Sequence, residues 1–364
     1  MNQLSHKDFE VVEFSALEQM TRDHLLGPEV YRASKHWEKL NDLNTQWLRE
    51  DGLDNFKRTV NNNYFNWMVS PRSNYFQRVA KQFIRAIIQK PSKLFLMFSA
   101  NIEEMFRRTY ALTTDRAGFI NRKVYALYLL FLFDFVKKND KHELFADLSE
   151  PAIGNPICIE VNGKKISQDL SNSYMEYSFV RDVLGNEFSK VKVLAEIGGG
   201  YGRLSYLFHH FHHHEGLKII MIDLPPALFI AQWYLKNAFT DSQMMLYSDF
   251  SSFDEIKDDF EKASICFLLP HQLAMLPSTL IDLVINVSSL HEMSRAQINH
   301  YYELIDDKSR LFYTKQYVFW ENPDDKISVP AVIYPTRPSW DLLSARINPV
   351  HAEFFEAIFR VKKS

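Results

Sequence analysis

The sequence predicts an α/β fold in which a mostly parallel sheet, covered by helices, follows a helical N-terminal domain. After residue 190, short apolar runs rich in Ile, Leu and Val alternate with stretches whose apolar residues recur three and four positions apart. Before about residue 150 the helical spacing appears without a clear strand pattern. Strands that alternate with helices favour a parallel sheet with both faces covered.

Each element of the C-terminal half has its own pattern. The predicted helices are the stretches RLSYLFHHF, PALFIAQWYLKNAF, FDEIKDDFEKA and SRAQINHYYELIDD. The last apolar run is expected to add an antiparallel edge strand, because the chain has no room for a crossover helix after it. The predicted strands are 191–198, 217–224, 264–270, 281–287, 310–319 and 354–362.

The domain boundaries are predicted where the spacing of the apolar residues changes. We predict a helical N-terminal domain over 1–155, a hairpin and connecting segment over 156–190, and a catalytic domain over 191–364. The hairpin is predicted to turn at Asn162-Gly163. The predicted N-terminal helices are 15–26, 29–50, 73–90 and the buried 124–136.

Composition narrows the class of protein. The chain has 364 residues, 46% hydrophobic and 24% charged, with a formal charge of −3, so nucleic acid is not an expected partner. Cys158 and Cys266 stand alone, which excludes a disulfide framework and suits a cytoplasmic protein. No secretory signal is recognisable, and no apolar run is long enough to predict a membrane span.

A glycine-rich turn, EIGGGYGRL, joins a predicted strand directly to a helix. Such a turn lets bare backbone approach a ligand. The dinucleotide pattern G-x-G-x-x-G fails in both registers, because its third glycine falls on Arg203 or on Ser205. The pattern that fits is acidic-x-G-x-G-x-G. It is formed by Glu196, Gly198, Gly200 and Gly202.

This pattern resembles the first motif of class I S-adenosylmethionine-dependent methyltransferases. The resemblance implies a seven-stranded Rossmann-like sheet and S-adenosyl-L-methionine as cofactor. It places the glycines beneath the methionine moiety, with Glu196 holding the ammonium group, usually through backbone or water. Asp223, which ends the second strand, fits the acidic residue that accepts the ribose hydroxyls.

The adenine contact has two candidates. Many class I enzymes carry an acidic residue shortly before the fourth strand, and in this chain Gln272 occupies that position. Asp249, in LYSDF, is the competing candidate. Asn286, near the end of the following strand, is also counted among the cofactor-binding residues.

The acceptor is expected beyond the strand 281–287, where the chain reads SSLHEMS. A hydroxyl acceptor loses its proton near the transition state, so a general base helps. His291 is a natural base and Glu292 is the alternative or its partner. DLPP and LHEMS resemble the DLP and LHDW signatures of plant-type O-methyltransferases, in which that histidine is the base.

A narrower resemblance covers most of the chain. GNPICIEVNGKKISQDLSNSYMEY, VLAEIGGGYGRL, SLHEM and DGLDNFKRTVNNNYFNW together resemble the bacterial sugar O-methyltransferase family. The resemblance implies methylation of a sugar in a glycan, nucleotide sugar or glycoconjugate, as in polysaccharide biosynthesis. In that family Glu-Met recurs while the position of His291 varies, which favours Glu292 as base.

Two alternatives stay open: an O-methyltransferase acting on a phenol or secondary metabolite, and a binding protein that holds the cofactor without turnover. We predict no metal site, although some sugar methyltransferases hold Mg²⁺ with carboxylates after the fourth strand.

The run HHFHHH at 209–214 is interpreted as a solvated helix end. The segment 322–340 is expected to cover the acceptor, with Arg337 able to bond a sugar. Packing is the favoured role of Trp37, Trp47, Trp67 and Trp340.

Overall fold

The computed structural model describes residues 6–60, 119–321, 328–330, 337–351 and 353–362. The predicted helix 73–90, Trp67, and residues 322–327 and 331–336 of the expected covering segment lie outside the described residues.

By packing, the chain divides into two compact units. The first contains Met1–Asp42, Val180–Pro349 and Glu353–Ser364, and the second contains Leu43–Phe179 and Val350–Ala352. The sequence placed a boundary near residue 155, whereas the first 42 residues belong to the same unit as the sheet. Aromatic and polar contacts account for this: the rings of Phe14 and Phe229 lie 6.1 Å apart, and the Tyr247 hydroxyl donates to Asp23 at 2.8 Å.

The described helices are numbered in chain order. They are α1 (His6–Leu26), α2 (Lys35–Asp51), α3 (Phe119–Asn139), α4 (Gln168–Leu184), α5 (Arg203–His212), α6 (Pro225–Ala238), α7 (Phe253–Lys262) and α8 (Arg295–Lys308). The four predicted helices of the C-terminal half are present as α5 to α8. The predicted helix 29–50 is interrupted, since a 3-10 turn, Glu29–Tyr31, precedes α2.

The described strands are numbered in the same way. They are β1 (Cys158–Val161), β2 (Lys164–Ser167), β3 (Val193–Ile197), β4 (Lys218–Ile222), β5 (Met244–Met245), β6 (Ile265–Leu268), β7 (Ile281–Val287), β8 (Ser309–Tyr317), β9 (Phe319–Glu321), β10 (Ser328–Pro330), β11 (Asp341–Ile347) and β12 (Phe354–Arg360). The hairpin β1–β2 turns at Asn162-Gly163, both with positive φ, as predicted.

The main sheet has the order β11-β12-β8-β7-β3-β4-β6-β5. The pairs from β5 through β8 are parallel, and β12 runs antiparallel to both β8 and β11. The Rossmann-like fold is therefore confirmed. Two details differ: within the described residues the sheet has eight strands rather than seven, and the antiparallel strand β12 lies one position in from the edge. The sequence did not reveal β11, whose side chains are half-exposed along most of its length.

The register of the central strands brings their carboxyl ends to one edge. Ile197 at the end of β3 pairs with Ile222 of β4 and with Asn286 of β7, and Asn286 pairs in turn with Thr314 of β8. Consecutive buried residues along β3, β4, β6 and β7 indicate cover on both faces. Crevices at this edge are where open α/β sheets bind ligands.

The second unit is held by a buried ion pair beside the hairpin. The Lys57 ammonium lies 2.5 Å from Glu150 Oε1, and the Ser167 hydroxyl donates to Glu150 Oε2 at 2.6 Å. Phe145 and Tyr174 pack their rings 5.0 Å apart in the same unit. Every helix of the described residues is too short or too polar to cross a membrane.

Candidate active site at the carboxyl edge of the sheet

The glycine loop, residues 198–202, connects β3 to α5 through backbone conformations that favour glycine. Gly198, Gly200 and Gly202 have φ values of 68°, 60° and 86°. The Gly198 amide donates to Ile222 O at 2.8 Å, which fixes the start of the loop against β4. A Cβ added at Gly200 would meet no atom within 4 Å. The backbone at Gly200 therefore faces open space that a ligand can enter.

Glu196 lies beneath this loop and is almost completely buried. Its Oε2 accepts hydrogen bonds from the Ser205 amide at 3.1 Å and the Ser205 hydroxyl at 2.5 Å, in the first turn of α5. A carboxylate is favourable there because the helix N-terminus carries partial positive charge. A Cβ on Gly199 would come within 2.8 Å of Glu196 Cδ, so the carboxylate also shapes the loop from below. Glu196 is thus placed to influence a bound ligand through the backbone of the glycine loop.

Asp223 joins the end of β4 to the glycine loop. Its Oδ2 accepts from the Gly200 amide and its Oδ1 from the Leu224 amide, both at 2.7 Å. Burial raises the pKa of Asp223 to about 7, against the opposing effect of these two backbone hydrogen bonds. The carboxyl group therefore changes charge near neutral pH, directly beside the open backbone of Gly200.

Gln272 is fully buried and bonded to backbone on both sides. Its Oε1 accepts from the Leu269 amide and its Nε2 donates to Ser248 O, each at 2.9 Å. The prediction that Gln272 contacts an adenine is not supported by this geometry, because the amide instead braces the turn after β5. Asp249, next to Ser248 in the chain, is exposed and remains a candidate for the adenine contact.

A side-chain network occupies the end of β7. Asn286 is fully buried, and its Nδ2 donates to Ile197 O at 2.9 Å and to the Ser289 hydroxyl at 2.6 Å. Its Oδ1 accepts from Gln316 Nε2 at 2.5 Å. Direct cofactor contact by Asn286 is therefore not supported either. The residue ties β3, β7 and β8 together beneath the site.

His291 is held in one tautomer by Gln316. The Nδ1 atom of the buried imidazole lies 2.9 Å from Gln316 Oε1, an atom that can only accept. The hydrogen of the neutral ring is therefore on Nδ1, and Nε2 is left with its lone pair. Burial lowers the pKa of His291 to about 4, partly opposed by the Gln316 bond. The ring also makes edge contacts with Tyr317 and Trp320.

Glu292 is the more accessible of the two predicted bases. Its side chain is 17% exposed, whereas that of His291 is 1% exposed. Glu292 Oε1 lies 3.7 Å from His291 Nε2, and Oε2 accepts from the Trp37 indole N–H at 2.7 Å. Burial raises the pKa of Glu292 to about 8; the Trp37 bond opposes this rise and the nearby charge of Asp223 adds to it. Such a carboxyl group is a stronger base than an ordinary glutamate.

Two residues of this network had not been predicted as part of the site. Gln316 is the last of three consecutive polar residues, 314–316, that are buried within β8, and buried polar residues in a strand are a usable signal. Trp37 has no such signal, because its partner Glu292 lies 255 positions away along the chain. The sequence favoured a packing role for Trp37.

The histidine run is only partly a solvated helix end. His210, His213 and His214 are exposed, as interpreted, but His209 and His212 are buried. His209 packs against Phe239 with ring centroids 4.4 Å apart, and His212 packs against Phe188 at 4.9 Å. The expectation was wrong for these two because they continue the apolar face of α5. In the parts of the chain that the structure describes, no three His, Cys, Asp or Glu side chains are grouped to hold a metal ion.

Arg337 and Trp340 are among the described residues of the expected covering segment. Arg337 Nη2 lies 4.0 Å from Glu303 Oε1 at the surface. Trp340 is buried, stacks on Tyr302 with an interplanar angle of 9°, and donates from its indole N–H to Asp306 Oδ1 at 2.7 Å. Trp340 is a core residue, in keeping with the packing role that was favoured for it.

No protein-family model matches the chain, and no curated protein matches it. Solved structures that are similar in fold to this chain include three methyltransferases. Magnesium protoporphyrin IX methyltransferase from Synechocystis PCC 6803, with bound SAM, is 14% identical over 54% of this chain and 83% of that chain, with a TM-score of 0.35. Human N-acetylserotonin methyltransferase, in complex with SAM, is 14% identical over 54% of this chain and 57% of that chain, with a TM-score of 0.29. The methyltransferase domain of bacterial CtHen1 is 11% identical over 52% and 98% of the two chains, with a TM-score of 0.34.

At these identities the similarity concerns the fold alone.

Proposed function

We propose that this protein is an S-adenosylmethionine-dependent O-methyltransferase that acts on a sugar hydroxyl of a glycan, nucleotide sugar or glycoconjugate. The observation that carries the proposal is the pairing of Asp223 with the Gly200 amide beside open backbone. A carboxylate at the end of the second strand is suited to accept the two hydroxyls of a ribose. Gly200 leaves room for the adjoining part of the cofactor to lie against the loop.

The charges of the side chains at the site suit S-adenosylmethionine. When bound, S-adenosylmethionine supplies a methyl group on a positively charged sulfonium. The carboxylates of Asp223 and Glu292 can oppose positive charge in a partly buried site, and no Lys or Arg takes part in the contacts described for them. Glu196 holds the loop through the first turn of α5.

Proton removal from the acceptor hydroxyl is assigned to Glu292. This side chain is partly exposed, has a pKa raised to about 8, and so can hold a proton near working pH. His291 Nε2 is unprotonated and faces Glu292 Oε1 at 3.7 Å, and with its pKa lowered to about 4 the imidazole stays neutral while Glu292 carries the proton. A base of this strength suits an alcohol, which is a poor nucleophile until its proton is removed. The choice of a sugar rests on the family resemblance of the sequence.

The first experiment is calorimetric titration of the protein with S-adenosylmethionine and S-adenosylhomocysteine, with NAD as the control ligand. We expect micromolar binding of both sulfur compounds and none of NAD. Asp223→Asn retains the size of the side chain but loses its charge, and should weaken binding at least about tenfold. The matched control is Asp258→Asn, which removes the same charge from the exposed face of α7 and should leave binding unchanged. A folded protein that binds neither sulfur compound would refute the proposal.

The acceptor is then sought with methyl-labelled cofactor and three panels: nucleotide sugars, oligosaccharides and simple phenols. Label transfer to a sugar supports the proposal, and transfer to a phenol without any sugar would replace it with the small-molecule alternative. Tight cofactor binding without transfer to any panel, and without any effect of Glu292→Gln on binding, would favour the non-catalytic binding protein.

A further inference from the structure

The N-terminal segment 29–37 lies against the residues that follow β7, within the same compact unit. The Tyr31 hydroxyl lies 2.8 Å from His300 Nε2, and Gln297 Nε2 donates to Arg32 O at 2.8 Å. The 3-10 turn Glu29–Tyr31 and the residue that follows it therefore contact the first turns of α8. This contact brings Trp37 to the site.

Trp37 has a defined orientation at the start of α2. Its amide donates to the Ser34 hydroxyl at 3.4 Å, and its indole N–H donates to Glu292 Oε2 at 2.7 Å. The other oxygen of Glu292 faces His291. The two carboxylate oxygens thus have different neighbours, and the indole fixes which oxygen is directed at the imidazole.

A hydrogen bond from a neutral donor favours the charged form of a carboxyl group. At Glu292 this bond works against burial, which favours the protonated form. An indole can donate and cannot accept, so it stabilises the carboxylate specifically. Removing the donor while keeping the ring would leave Glu292 protonated over a wider pH range.

We infer that Trp37 is a positioning residue of the active site, whose indole N–H directs Glu292 and stabilises its ionised, base-competent form beside His291. This inference deepens the proposed function and rests on it for the role of Glu292. It also assigns the segment 29–37 to the active site, although the sequence predicted that this segment belongs to a separate N-terminal domain.

The chain contains a matched control for this bond. Trp340 donates from its indole N–H to Asp306 Oδ1, also at 2.7 Å, in the same unit. Trp340 does not contact Glu292 in this structure. Trp37→Phe and Trp340→Phe therefore each remove one indole–carboxylate hydrogen bond and keep an aromatic ring, but only the first affects Glu292.

The test is an NMR titration of the six tryptophan indole N–H signals in the wild-type protein without cofactor, over pH 6 to 10. The variants Trp37→Phe and Trp340→Phe assign two of the signals. We expect the Trp37 signal to move with a midpoint near the Glu292 pKa of about 8, and to stay fixed in Glu292→Gln. The Trp340 signal should show no step with this midpoint.

A second titration follows the side-chain carboxyl carbons of glutamate in isotope-labelled protein. The signal lost in Glu292→Gln should titrate about one pH unit higher in Trp37→Phe than in the wild type, and should be unchanged in Trp340→Phe. An unchanged midpoint in folded Trp37→Phe, or a Trp37 signal in the wild type that ignores Glu292, would overturn the inference. Neither titration uses S-adenosylmethionine, so failure here is distinct from failure of the calorimetric test.

Discussion

The glycine-loop edge and the β7 edge of the site are built in different ways. At the glycine-loop edge, Gly198, Gly200 and Gly202 adopt positive φ values that shape the backbone, and Asp223 accepts a hydrogen bond from a main-chain amide. At the second, side chains bond to one another. That network consists of Asn286, Ser289, His291, Glu292, Gln316 and Trp37. The first edge depends on local conformation, and the second depends on partners far apart along the chain.

The two edges should therefore respond differently to mutation. A change in the glycine loop alters a backbone shape that no other residue type adopts easily. A change in the network alters protonation and orientation while the backbone stays in place. Loop variants are expected to lose stability and ligand binding together, and network variants to change pH dependence.

The largest effect is expected for Gly198→Ala. Its added Cβ would lie 2.2 Å from Ser289 Oγ, and this hydroxyl is itself held by Asn286. Steric overlap and the left-handed φ of 68° together should lower the free energy of unfolding by about 3 kcal/mol or more. Urea denaturation of the wild type and the variant measures this loss.

Gly216→Ala is the matched control for backbone strain. Gly216 has a φ of 76° and no atom within 4 Å of an added Cβ, so its cost should be about 1 kcal/mol. The double variant Gly198→Ala with Ser289→Gly removes the clashing side chain and should recover part of the loss. Equal costs at the two glycines would show that the contact of Gly198 with Ser289 does not constrain the loop.

A smaller, pH-dependent effect is expected for Glu292→Gln. The pKa of Glu292 is about 8 in the folded protein against an ordinary value of 4.5, so between these values the folded state binds more protons than the unfolded state. The stability contributed by this group is present below about pH 4.5 and falls as pH rises through about 8. Relative to the wild type, the variant should gain roughly 1–3 kcal/mol in free energy of unfolding between pH 5 and pH 9.

The control for this prediction is Glu303→Gln, which removes a carboxylate that is 66% exposed on α8. The difference in free energy of unfolding between Glu303→Gln and the wild type should not change by roughly 1–3 kcal/mol between pH 5 and pH 9. Parallel pH profiles of Glu292→Gln and the wild type would contradict the raised pKa and weaken the assignment of Glu292 as base.

The same contrast explains what the sequence could predict. The glycine loop, Asp223 and the strands β3, β4 and β7 carry their signals within a few neighbouring residues, and the fold followed from such signals. Gln272 was assigned from its position after a strand, but position alone did not reveal that its amide is bonded to Ser248 O and the Leu269 amide. Asn286 was likewise assigned from its position near the end of a strand, and that position did not reveal that its side chain is bonded to Ile197 O, Ser289 and Gln316. Trp37 and Gln316 were missed because only the folded chain brings them to Glu292 and His291.

The smallest effect concerns the tautomer of His291, and it tests the network through the position of a single hydrogen. The pKa of His291 is about 4 in the folded protein, below the ordinary 6.5, so the ring should stay neutral from pH 6 to pH 8. Nitrogen NMR should show hydrogen on Nδ1 in this range, with His291→Asn assigning the signals. Gln316→Leu removes the acceptor of that hydrogen and should allow the Nε2–H tautomer to appear. An Nε2–H tautomer in the wild type would mean that Gln316 does not orient the ring and that Nε2 faces Glu292 Oε1 with a hydrogen rather than a lone pair.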